Sequence, residues 1–151
     1  MITIPPVLVG SLIDEAYGYW QSLNAVRSPP ARRDIDPTAI PRLLGSIMLT
    51  DVLPSPPHFR YRLIGQHIAD RLPELSRGMA PLSAKADPRY PPGGDEITIM
   101  TAATNLRQPQ LFFGRGRIQH RRLPLARLDC PMVEDGTAVA IIFSCLMFGA
   151  F

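Results

Sequence analysis

The sequence predicts an α+β fold: one domain in which a five-stranded antiparallel sheet is covered by helices. Three observations lead there. First, 46% of the 151 residues are hydrophobic and only 19% are charged, a balance that buries a core rather than leaving a disordered chain. Second, the 17 prolines, about twice ordinary usage, cluster at Pro5-Pro6, Pro29-Pro30, Pro54 to Pro57 and Pro91-Pro92. Proline fixes φ and removes a donor, so these clusters punctuate the chain between elements. Third, apolar spacing changes from three and four to strict alternation along the chain, in the order helix, short helix, two strands, small helices, helix, three strands.

Ser11 to Arg27 reads as the first helix, with Leu12, Ala16, Tyr19, Trp20, Leu23 and Val26 forming one stripe. Ser11 is its N-cap, Asp14 and Glu15 favour its dipole, and Arg27-Ser-Pro-Pro stops it. Asp36-Pro37 opens a short turn or helix that ends before Gly45. Ser46–Leu53 and His58–Ile64 read as strands of a hairpin joined by Pro54-Ser55-Pro56-Pro57, with Phe59, Tyr61 and Leu63 on one side and His58, Arg60 and Arg62 on the other. Gln66–Leu72 fits a short helix. The stretch 73–94 is irregular, and long irregular stretches are often functional. Asp95–Arg107 is a further helix, burying either Ile97, Met100 and Thr104 or Ile99, Ala103 and Leu106. Three strands close the chain: Leu111–Gln119, Arg121–Leu128 and Thr137–Phe148, with Asp135-Gly136 as a turn signal. Pro124 lies inside a strand and therefore belongs at an edge or bulge.

Several classes are disfavoured. Cys130 and Cys145 form neither a disulfide framework nor a CxxC motif. No apolar run reaches the about twenty residues of a membrane span, and the N-terminus lacks the basic start of a secretory signal, so a cytoplasmic location is expected. The formal charge of +3 is mild for a nucleic-acid module.

Five segments carry a family resemblance: Tyr19-Trp20, Pro30 with Arg33-Asp34-Ile35-Asp36-Pro37, Ile40-Pro41-Arg42-Leu43-Leu44, Leu49-Thr50-Asp51-Val52, and Phe59 to Gly65. In this order they resemble the N-terminal half of a bacterial PAS-like sensory family, and Leu123-Pro124-Leu125 before a hydrophobic last strand resembles its ending. The resemblance implies a PAS-like sheet in strand order 2-1-5-4-3 with helices on one face, here with an N-terminal helical extension (1–28) before the PAS-like domain (29–151). It implies a non-catalytic sensor or interaction module with a small-ligand cavity between sheet and helices, signalling through a partner or a dimer. A homodimer through the N-terminal helix, with Tyr17, Tyr19 and Trp20 as interaction surface, follows from the same resemblance.

The expected ligand-facing residues are Tyr61, Leu63, His67, Met100, Thr104 and Phe113, a set that ordinary core packing also explains. No flavin-type cysteine context is present, and the helix expected to supply a haem ligand has no His, so neither cofactor is expected. No His, Cys or carboxylate pair has metal-site spacing, and no nucleophile elbow, P-loop or dinucleotide fingerprint occurs. Arg115, Arg117, Gln119 and Arg121 alternate onto one strand face, a solvated face or, as the alternative, an interaction stripe for acidic partner residues or nucleic acid. A small lyase or isomerase using His67 with Asp70 ranks below both, since such a pair at i, i+3 on a helix is ordinarily a surface feature. The adjacent acids Asp14-Glu15, Asp95-Glu96 and Glu134-Asp135 read as capping or solvated groups.

Overall fold

The computed structural model describes residues 2–56, 58–82 and 95–151. Its elements in chain order are α1 (Leu12–Val26), β1 (Ile47–Val52), β2 (Phe59–Ile64), α2 (Gln66–Arg71), α3 (Glu96–Leu106), β3 (Gln110–Ile118), β4 (Arg121–Val133) and β5 (Val139–Phe148), with short 3-10 turns before β1. The strands form one antiparallel sheet in the order β2-β1-β5-β4-β3. The fold is therefore a PAS-like α+β domain. Residues 83–94 of the irregular stretch, and Pro57 of the hairpin connection, lie outside the described residues.

Local chemistry sets the helix ends. Ser11 Oγ accepts from the Asp14 amide at 3.4 Å, and Asp95 caps α3 by accepting from the Thr98 amide at 2.8 Å. On α1, however, the buried row is Ile13, Ala16, Tyr17 and Trp20, and Val26 is exposed. The indole N–H of Trp20 donates to the Pro131 carbonyl at 3.1 Å, which fixes the rotation of the helix. Tyr19 and Leu23 are left half-buried at its flank.

Both faces of the sheet are covered. The outer face packs Leu49, Leu128, Cys130, Met132 and Phe143 against α1. The inner face lies under α2 and α3, with Met48, Leu125 and Leu146 in one apolar cluster and Phe59, Met100 and Ile142 in another.

Register corrects one expectation. Thr50 pairs with Tyr61 and Leu49 with Leu63, so Arg62 is an extra residue where the β1–β2 pairing shifts. Such a bulge moves every later side chain to the opposite face. Tyr61 thus points inward, while Leu63 joins Leu49 and Phe143 around a shallow outer depression.

Strand β4 runs five residues beyond Leu128, and each of its prolines is paired on one side, Pro124 with Arg115 and Pro131 with Ile142, while the strand on the other side has ended. Pro124 is one residue past the last β4–β5 pair, Leu125 with Phe148, and its carbonyl accepts from the Gly149 amide at 3.0 Å. Pro131 lies beyond the first β3–β4 pair, Gln110 with Asp129. Neither missing N–H breaks a ladder hydrogen bond.

Candidate functional site

Beneath α3, the inner face of the sheet carries a buried charged cluster. Residues two apart on a strand share a face, so Arg127 and Asp129 of β4 lie side by side. The guanidinium grips Asp129 through two bonds, Nε to Oδ2 at 2.8 Å and Nη2 to Oδ1 at 2.7 Å. Its third arm, Nη1, donates to Glu96 Oε2 of α3 at 2.9 Å. Ser144 of β5 donates to Asp129 Oδ1 at 2.6 Å, and the Tyr61 hydroxyl of β2 donates to Glu96 Oε1. Gln119, in the β3–β4 turn, donates to the Tyr61 oxygen at 3.3 Å and to the Ala80 carbonyl at 2.9 Å. The cluster around Arg127, a residue 1% exposed, therefore ties β2, β4 and β5 to the first turn of α3.

The electrostatics follow from burial and from neighbours. Burial opposes the charge on Arg127, but Asp129 and Glu96 more than offset it, so its pKa is raised. Burial, then the Glu96 carboxylate, pushes the Tyr61 hydroxyl far above its ordinary value. Thr50, opposite Tyr61 on the same face, is fully buried, and its hydroxyl oxygen has no hydrogen-bond partner among the described residues. Among the described residues, no group of three or more His, Cys, Asp or Glu is placed to hold a metal ion.

The expected site residues are dispersed. Tyr61 belongs to the cluster, and Met100 is buried beside it with Phe59 and Ile142. Thr104 is half-buried, and its hydroxyl donates to the Met100 carbonyl at 2.8 Å. Leu63 is 39% exposed on the outer side and Phe113 is 45% exposed. His67 is exposed next to Gly45, where a Cβ would meet its ring, and Asp70 accepts from Gln66 at 2.7 Å. Tyr17 and Trp20 turn toward the domain's own sheet, and the Tyr19 hydroxyl accepts from the Asp36 amide at 2.8 Å.

The arginine stripe is broken by the β3–β4 turn. Gln119 adopts φ 53° there, and Arg117 is buried, with its Nε donating to the Gln119 carbonyl at 2.8 Å. Arg115 and Arg121 remain exposed, Arg121 paired with Glu74 at 3.0 Å. Glu96, Arg127, Asp129, Ser144 and Gln119 were not anticipated in the site. The available signal was an Arg-x-Asp pair inside the otherwise apolar run Leu125 to Met132.

Among the described residues, no helix is long and apolar enough to cross a membrane. No curated protein and no solved structure matches the chain. The family model described as PAS domain matches residues 11–83, from the cap of α1 through both hairpin strands to the segment after α2. Beyond the match, β3 to β5 complete the β2-β1-β5-β4-β3 sheet, so residues 11–83 are similar to the PAS domain family and the whole sheet has the PAS-like arrangement.

Proposed function

We propose that this domain is a non-catalytic cytoplasmic sensor that holds a small polar ligand between the sheet and α3 and reports its occupancy to a partner protein or a second copy of itself. The observation that carries this reading is the buried polar cluster on the inner face. Apolar residues of similar volume often stabilise a core as well as a buried ion network does or better, so fold stability alone gives no reason for Arg127, Asp129 and Glu96 there. Hydrogen-bonding groups under a helix recognise polar atoms, and Thr50 offers a hydroxyl with no partner. A ligand that engages Thr50 or competes for Glu96 acts directly on the seat of α3.

The non-catalytic part rests on the same contacts. Arg127 and Tyr61 have pKa values displaced upward, away from the near-neutral range that acid–base catalysis favours. Burial likewise holds the Cys130 and Cys145 thiols protonated.

Native mass spectrometry of the purified full chain tests the proposal, because it reports bound small molecules and oligomeric state together. The expected spectrum shows a non-covalent mass excess that disappears on denaturation, in a species that dimerises or captures a partner. A bare monomeric mass under gentle conditions, unchanged by a panel of small polar metabolites, overturns it.

A further inference from the structure

At the end of the sheet where α1 and α3 both stop, a cleft of about 240 Å³ opens between the Arg27–Ala31 segment, the end of α3 and the β4–β5 turn. Its floor is Ala31 and Val133, both buried, with the Val133 amide bonded to the Pro30 carbonyl at 2.9 Å. Its rim carries Arg27, Arg33, Arg107 and Glu134, together with Ser28 and Thr137.

Two of these charges are already matched. Arg27 pairs with Asp34 at 3.0 Å, and Glu134 pairs with Arg62 at 2.9 Å. Arg107 donates to the neutral Thr137 carbonyl at 2.8 Å, and neither Arg107 nor Arg33 has a carboxylate within ion-pair distance among the described residues. Two guanidinium groups without a contact ion pair among the described residues thus line a concavity somewhat smaller than the about 300 Å³ at which drug-sized sites begin, although the Asp34 carboxylate lies near enough to feel the Arg33 charge. Guanidinium is the side chain best suited to planar, two-point contact with carboxylate or phosphate oxygens.

We propose that this cleft binds a small oxyanion, a phosphate or carboxylate group held between Arg33 and Arg107 and closed by the Ser28 and Thr137 hydroxyls. The site shares no residue with the inner-face cluster and stands independently of any ligand there. Its occupant touches the end of α1, the end of α3 and the β4–β5 turn at once.

The test is an amide NMR titration of the full chain with inorganic phosphate and, separately, with succinate at low ionic strength. The expected result is saturable shifts confined to residues around Ser28, Ala31, Gly136 and Thr137, with a dissociation constant on the order of 1 mM, weakening as salt rises. Arg33→Gln and Arg107→Gln each weaken binding about tenfold. Arg115→Gln, which removes an exposed charge elsewhere, leaves affinity unchanged. Saturation by phosphate alone or by succinate alone supports the site and names its oxyanion. Failure of both, shifts centred on the inner-face strands, or equal affinity in the Arg33→Gln/Arg107→Gln double variant overturns it.

Discussion

Toward α1, strand β4 sends Ala126, Leu128, Cys130 and Met132; toward α3, the same strand sends Leu125, Arg127 and Asp129. Both rows are buried, yet they hold their helices by different physics. The outer contact is apolar area, which is non-directional, with a polar fastening from helix to sheet in the Trp20 bond to Pro131. The inner contact includes charge-assisted bonds from Arg127 to Glu96 and Asp129, which are directional and fix α3 in one register. A helix resting on grease slides by small steps, whereas a helix seated on an ion cluster is either seated or not. On the proposed function, the inner face is where a ligand would meet a two-state element, the requirement for population shift.

The sharpest way to break this contrast is to remove the guanidinium. Arg127→Met leaves Glu96 and Asp129 buried without a counter-charge, and we expect a loss of about 3–5 kcal/mol of unfolding free energy, measured by urea denaturation. Because so large a loss risks unfolding the protein, the companion variant Arg127→Met/Glu96→Leu/Asp129→Leu replaces the whole cluster with apolar groups. It is expected to recover most of that loss. A single variant within 1 kcal/mol of wild type, or a triple variant no better than the single, would show that charge does not govern this face.

The same contrast explains what the sequence made legible. The helix starts at Ser11 and Asp95 and the existence of five strands are local signals, and they appear in the structure. The Tyr61/Leu63 split was not legible, because the bulge at Arg62 is fixed by pairing with β1 and carries no glycine to announce it. Alternation alone does not distinguish Arg127 from a solvated strand arginine, because the burial of its face depends on α3 covering it. Glu96 follows a capping Asp95 and looks like a dipole residue. Only the tertiary fold shows it turned onto Arg127.

A smaller effect separates the faces by pH. Burial raises the Cys145 thiol on the outer face from its ordinary value near 9 to about 12. In the folded chain the thiol keeps its proton where the unfolded chain has lost it, so its contribution to stability is complete below pH 9 and is lost as pH rises toward 12. Cys130 behaves alike, and Tyr61 joins from about pH 10 upward. Cys145→Ala should flatten the fall in stability between pH 9 and 12 by about 1.4 kcal/mol per pH unit, one proton's worth. Denaturant midpoints with parallel pH slopes in the two proteins would show the thiol ionising alike in folded and unfolded chains.

The smallest change is the most discriminating. Thr50 and Val are close in shape, both β-branched and both at home in a strand, and Thr50 sits on the inner face with a hydroxyl that has no bond among the described residues. Burying an unpaired hydroxyl is unfavourable, so Thr50→Val should raise stability by about 1 kcal/mol. Were the hydroxyl only a packing imperfection, nothing else would change. If it serves to bond a ligand, the same substitution that stabilises the fold must reduce the mass excess seen in native spectra, since binding then loses an acceptor and a donor together. Stability and binding moving in opposite directions is the signature of a polar group kept for function rather than for folding. A Thr50→Val protein that is less stable than wild type, or more stable with its bound mass intact, would remove Thr50 from the site and leave recognition to the Arg127 cluster alone.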